Sequence, residues 1–279
     1  MALFIAPEEN HREREKGIVV YPVYSRRSGG LSVGINLFPD KKSCPFDCPY
    51  CEVFPFLANA VFSLSQMEED LRRAINAAAR QNTPVKDVCF SGNGEPSLSP
   101  AFPEALKLAE SIRSSLVPSS QLVLITNGAG LFRPQTFSLL QDAAKNPSFD
   151  IWLKLDAGTE LWYQKINRSH FPFEKLTEKI KEFVSRARVT IQTMICAVDG
   201  VGPPPDEERA WEKLALELAA CGKDGTGGVR KAQIYGKARP APEDPKASPL
   251  PAEYLERRAD SLRRALSQNG LLTPVEIYI

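Results

Sequence analysis

The chain has no long apolar run, no excess of either charge and only two histidines. Its 279 residues carry 35 Lys and Arg against 34 Asp and Glu, so no global field advertises nucleic acid, an anionic membrane or a strongly acidic partner. A polyanion would have to be met by a local patch. No stretch approaches the ~18 apolar residues that a membrane helix needs, and the opening MALFIAPEENHREREK turns to charge after a very short apolar run. The expectation is a cytoplasmic protein without a membrane partner. Evenly scattered cysteine pairs are also missing, which argues against a secreted disulfide scaffold. Three of the six cysteines crowd into eight positions instead, and in a reducing compartment such crowding favours metal ligation.

With 43% hydrophobic residues, one large core is plausible at this length. Apolar periodicity alternates between the two regular structures. Strands are expected at LSVGINLF (31–38), DVCFSG, LVLITNG, FDIWLKLDAG, VTIQTMICAV, VRKAQIYGKA and PVEIYI. Helices are expected between them, at SQMEEDLRRAINAAARQ from Ser65, 101–116, RPQTFSLLQDAA, FEKLTEKIKEFVSRA, the Asp206-capped DEERAWEKLALELAAC and AEYLERRADSLRRAL. Such alternation is the pattern of a parallel sheet with crossover helices. Six βα units predict a partial (β/α)6 barrel, open on one side, over residues 31–279, preceded by an N-terminal extension (1–30). The proline-rich stretch 238–251 is expected to be a loop on the ligand side, as is GVGPPPD. No internal repeat is present.

CPFDCPYC places Cys44, Cys48 and Cys51 in a proline-broken loop just past the first expected strand. Three thiolates at this spacing can converge on one inorganic centre, and a three-cysteine set leaves one iron of a cubane open for chemistry. A structural zinc is the alternative. It would need a fourth ligand from Cys89, His11 or His170, none of which lies at zinc-finger spacing. After the second strand comes SGNGEPS, whose glycines permit close backbone approach to a ligand. A dinucleotide fingerprint is a weak rival there, since Ser97 stands where the third glycine should be. An ordinary tight turn ended by Pro96 is another reading.

The C-x3-C-x2-C run with an aromatic residue, Tyr50, before its last cysteine resembles the signature of the radical S-adenosylmethionine (SAM) superfamily. VYSRRSGGLSVGINLFPDKKSCPFDCPYC, FSGNGEPSL, ITNG and WLKLDAGTELWYQKINR together resemble its branch of wyosine-base-formation-like iron–sulfur oxidoreductases. The similarity runs from about Val20 to Arg168 and more weakly through QIYGKARP. The resemblance implies a [4Fe-4S] cluster on Cys44, Cys48 and Cys51. It also implies SAM chelated at the open iron, reductive cleavage to a 5′-deoxyadenosyl radical, and an electron donor such as flavodoxin or ferredoxin. Gly92, Asn93, Gly94 and Glu95 match the superfamily's Gly-Gly-Glu-type turn, which receives the SAM ammonium. The second substrate is open: a tRNA base by analogy, or equally a peptide or small molecule.

Strand alternation divides Ile151, Leu153 and Leu155 from Trp152, Lys154 and Asp156, and sets Gln192, Met194 and Cys196 opposite Ile191 and Ile195. In the sixth expected strand it sets Gln233, Tyr235 and Lys237 opposite Ile234. The polar phases are expected to face the barrel interior. Lys154 is a candidate for a SAM carboxylate, Asp156 and Asn127 for ribose hydroxyls, and Gln192, Tyr50 and Tyr235 for further SAM contacts. An ion pair of Asp156 with Lys154 or Lys237 is the competing reading. Cys89 and Cys196 read as buried core thiols, with Cys196 also a candidate hydrogen-atom donor. Ser25 to Arg27 and Arg257, Arg258, Arg263 and Arg264 can touch RNA phosphate or simply be solvated. An iron–sulfur carrier or sensor, and an RNA-binding module with a structural zinc, are the functional alternatives. No second cysteine cluster suggests sulfur insertion.

Overall fold

A computed structural model describes residues 17–221, 227–239, 241 and 246–279. Residues 1–16 of the expected N-terminal extension, with His11, and positions 240 and 242–245 of the expected proline-rich loop lie outside the described residues. The chain divides into two compact units. The first holds the described residues up to Cys44, Val53–Thr126 and Asn146–Asp150; the second holds Pro45–Glu52, Asn127–Lys145 and, where described, Ile151–Ile279.

In the first unit β1 (Val20–Ser25) runs antiparallel to β2 (Gly30–Asn36), and β3 (Val85–Ser91) and β4 (Gln121–Thr126) follow in parallel. No sequence signal marks β1, because Pro22 interrupts VYPVYS. The strand lies at a sheet edge, where a proline costs no central ladder bond. Helix α1 (Leu64–Arg80) buries Met67, Leu71, Ile75 and Ala78. Its cap is Ser63, whose hydroxyl accepts Gln66 N–H at 3.4 Å, two residues before the expected start. Arg72 and Arg73 pair with Glu68 and Glu69 on its solvated face. Helix α2 (Phe102–Leu116) buries Phe102, Ala105, Ala109 and Ile112, and Phe102 meets Phe90 of β3 edge-on, with ring centroids 5.5 Å apart.

The second unit contains α3 (Pro134–Ala143), β5 (Phe149–Lys154, from Ile151 onward), α4 (Glu160–Ile166), α5 (Phe173–Val184), β6 (Arg188–Ile195), β7 (Ala197–Val198), α6 (Pro205–Ala220), β8 (Gly228–Gly236), β9 (Ala247–Ser248), α7 (Ala252–Gln268) and β10 (Val275–Tyr278). Strands β5, β6, β8 and β10 are parallel neighbours in that order, while β7 and β9 form a separate antiparallel pair. Seven-residue α4, capped by Thr159, is too short to carry a visible period and was not expected. Asp206 does not cap α6. The helix begins at Pro205, whose fixed φ and missing N–H suit a first helical position, so Asp206 lies in the first turn and pairs with Arg209.

Register aligns the polar phases. Lys154 pairs with Gln192, Gln192 with Gln233 and Gln233 with Glu276. Gln192 Nε2 donates to Gln233 Oε1 at 2.6 Å, and Gln233 Nε2 to Glu276 Oε2 at 3.1 Å. The two buried glutamines thus meet the hydrogen-bonding demand that burial imposes.

Candidate active site

In the first unit the SGNGEPS turn is joined to the residue before the first loop cysteine. Ser43 N–H donates to Asn93 O at 2.8 Å and Glu95 N–H donates to Ser43 O at 2.9 Å, a parallel bridge across Gly94. A Cβ on Gly94 would stand 2.1 Å from the Ser43 carbonyl oxygen. Gly92, at φ +114°, would bring a Cβ to 2.7 Å from the Asn36 side chain. Close approach is what the glycines permit, yet the group that approaches is the protein's own chain. Asn36 Oδ1 accepts the N–H groups of Phe38 and Asn93, both at 3.1 Å. Asn93 Nδ2 donates to Phe38 O at 3.3 Å.

Glu95 is 2% exposed, and its Oε1 accepts Ser97 N–H at 3.2 Å, Ser97 O–H at 2.5 Å and Thr126 O–H at 2.7 Å. It caps the 3-10 turn Pro96–Leu98. Three donors on one oxygen hold the carboxylate in place. Cys89 is buried in β3, as expected of a core thiol.

In the second unit the cysteine loop is tied down along its length. Asp47 N–H donates to Asn167 O at 3.0 Å, and Cys51 N–H turns back to Cys48 O at 2.9 Å. Tyr50 O–H donates to Asp156 Oδ2, while Glu52 pairs with Arg239 at 3.1 Å. Phe46 packs edge-on against Tyr163.

Asp156 is the hub. Its Oδ1 takes Lys154 Nζ and Met194 N–H, both at 2.8 Å, and its Oδ2 takes Tyr50 and, at 3.0 Å, Asn167 Nδ2. Lys154 Nζ also donates to Tyr235 O–H oxygen at 2.5 Å and lies 5.0 and 4.7 Å from the ring centroids of Tyr50 and Tyr235. The Lys154–Asp156 ion pair is therefore present, while no pair of Lys237 with Asp156 is found among the described residues. Lys237 Nζ instead donates to Arg239 O at 2.8 Å. Burial alone would push the Lys154 ammonium down, but Asp156 and Tyr235 outweigh it and the net direction is upward. Tyr50 is held well above its ordinary value by burial and then by the Asp156 charge.

Cys48 Sγ accepts a hydrogen bond from Asn167 Nδ2 at 3.5 Å. Burial, followed by the Asp156 charge, pushes its thiol up to about 12. The same causes in the same order raise Cys196 to about 12, so this buried thiol stays neutral. Asn127 Oδ1 accepts Ala129 N–H at 2.9 Å. Sequence reasoning did not single out Asn167 or Arg239, although both lie in the matched stretches WLKLDAGTELWYQKINR and QIYGKARP.

Cys44, Cys48 and Cys51 are half-buried and take part in no disulfide among the described residues. Among the described residues no three His, Cys, Asp or Glu side chains converge as ligands of a single metal ion. Thiolates are the ligands that iron–sulfur clusters use, and the Asn167 N–H directed at the Cys48 sulfur suits a ligating thiolate.

No protein-family model matches the chain. A "UPF0026 protein" of Helicobacter pylori is 33% identical over 187 residues, covering 64% of this chain and 54% of that protein. The chain thus spans about half the length of the curated relatives it matches. Among solved structures, a radical SAM methyltransferase from Sphaerobacter thermophilus aligns over 92% of this chain and 68% of its own, with TM-score 0.62 and 14% identity. Streptococcus suis SuiB bound to S-adenosylmethionine aligns over 90% of this chain and 52% of its own, with TM-score 0.61 and 14% identity. With parallel strands and helices alternating within each unit, the chain is similar in fold to these solved structures.

Proposed function

We propose that the chain is a radical SAM enzyme. Cys44, Cys48 and Cys51 would hold three irons of a [4Fe-4S] cluster, and SAM would take the fourth. Such a cluster, when bound, would supply the electron for reductive cleavage of SAM to methionine and a 5′-deoxyadenosyl radical. The observation that carries the reading is the pairing of Ser43 with Asn93 and Glu95. It fixes the backbone next to Cys44 to the turn whose buried carboxylate suits a substrate ammonium.

The chain's own residues then bind and orient. Glu95 and the carbonyls of the Gly92–Gly94 turn receive the ammonium. Lys154 faces a carboxylate, Asp156 and Asn127 meet ribose hydroxyls, and Gln192, Tyr50 and Tyr235 complete the SAM contacts. A flavodoxin or ferredoxin is the expected electron donor in a reducing cytoplasm. By the resemblance a tRNA base is the second substrate to test first, with a peptide or small molecule as the other classes. Cys196 is the candidate hydrogen-atom donor from the protein, and the neutral thiol that burial enforces is the form this role needs.

Anaerobic reconstitution followed by iron and sulfide analysis tests the class. Iron near four per chain, by the composition of the cluster, and SAM cleavage under reduction are expected. Both should be lost in Cys44→Ala, Cys48→Ala and Cys51→Ala and kept in Cys89→Ala and Cys221→Ala. Zinc in place of iron would overturn the reading, and a cluster that never cleaves SAM would favour a carrier or sensor.

A further inference from the structure

We infer that Asn167 is a positioning residue that sets the reduction potential of the cluster through the Cys48 sulfur. The inference rests on the proposed function. One side-chain amide carries two protons, and here Nδ2 lies 3.5 Å from Cys48 Sγ and 3.0 Å from Asp156 Oδ2. The same residue's carbonyl accepts Asp47 N–H, so Asn167 holds both the approach to Cys48 and its sulfur.

The local structure does not require this side chain. Asn167 ends α4, but the capping bond is its backbone N–H to Tyr163 O at 2.9 Å, which any residue would make. Asn167 as a residue is nevertheless 4% exposed, and its amide is oriented by a carboxylate whose other oxygen Lys154 and Met194 hold. Rotating it away from the sulfur would forfeit a buried bond to a charged group.

Adding an electron to a cluster increases the negative charge shared by its cysteine sulfurs, and hydrogen bonds to those sulfurs help set the potential. The Asn167 N–H therefore stabilises the reduced form and makes reduction easier. Removing it should make the one-electron reduction equilibrium less favourable by about tenfold, a shift of about 59 mV to lower potential.

Reconstituted wild type, Asn167→Ala and Asn167→Leu should be compared by iron and sulfide content, and then by redox titration followed by EPR. Both variants lack the donor, and both should hold iron and titrate at lower potential than wild type. Filled clusters with unchanged potentials would overturn the inference, leaving Asn167 a structural residue whose loss only lowers the melting temperature. Should neither variant retain iron, pulsed EPR on reduced wild-type protein labelled with 15N at asparagine decides. A 15N coupling is expected without SAM, and its absence would overturn the inference. Failure of the wild type to bind iron at all would count against the proposed function, a result distinct from the others.

Discussion

The Tyr50 hydroxyl donates to Asp156 Oδ2, so the residue before the last loop cysteine is held by a carboxylate two positions beyond the end of β5. Tyr50→Phe removes this bond and keeps the ring beside Lys154. The loss of a hydrogen bond to a buried charge should cost about 1 to 3 kcal/mol, measured by denaturant unfolding of the metal-free protein. Iron retention should also fall, because the loop loses one of its tethers.

Lys154 and Asp156 carry two consequences that separate experimentally. As a buried ion pair, either partner removed alone leaves an uncompensated charge, and Lys154→Ala or Asp156→Ala should destabilise the protein by about 3 to 5 kcal/mol. As SAM contacts, the same changes should weaken SAM binding by about 1 to 3 kcal/mol. Equilibrium SAM binding beside melting temperature reads both. Unaltered affinity in both variants would remove the pair from the SAM site and leave it purely structural.

Gly94→Ala tests the connection between the glycine turn and the cysteine loop. The new methyl meets a backbone oxygen rather than a flexible side chain, so the backbone at Ser43 must move. Overpacking of this kind costs about 1 to 3 kcal/mol. Reconstituted Gly94→Ala should bind substoichiometric iron although all cysteines are intact, and full iron loading would show that the bridge to Ser43 is dispensable.

Asp87 gives the first unit a pH dependence of known sign. Burial raises its carboxyl, against hydrogen bonds from Ser28 and Ser32 and the charge of Arg27; Ser32 Oγ lies 2.5 Å away. A raised folded value means that the native state holds the proton more tightly than the unfolded chain. The contribution is full below the ordinary aspartate range near 3.9 and is lost as pH rises through the folded value. Asp87→Asn keeps an acceptor for Ser32 without the charge. It should raise the melting temperature at pH 7 and have a smaller effect at pH 4, and equal effects at both values would assign the change to something other than ionisation.

The sequence by itself determined the order of the barrel elements, because the periods 2 and 3.6 are local properties of the chain. FDIWLKLDAG and VTIQTMICAV alternate clearly enough to divide Ile151 and Leu153 from Lys154, and the same alternation separated the buried glutamines from their apolar neighbours. The cysteine spacing is likewise a local fact, and so is the glycine turn. Other features depended on partners distant in sequence. Edge strand β1 exists because β2 offers it a ladder, in spite of Pro22, and α4 is stable at seven residues because Trp162, Tyr163 and Ile166 are buried. Whether Lys154 meets Asp156 or another acid was open in the sequence, since alternation gives a side and no distance. Only the tertiary structure brought Asn167 to Cys48, 119 positions away. It did the same for Tyr50 and Asp156, 106 positions apart, because hydrogen bonds are decided over about three ångströms of space and a linear pattern has no term for that.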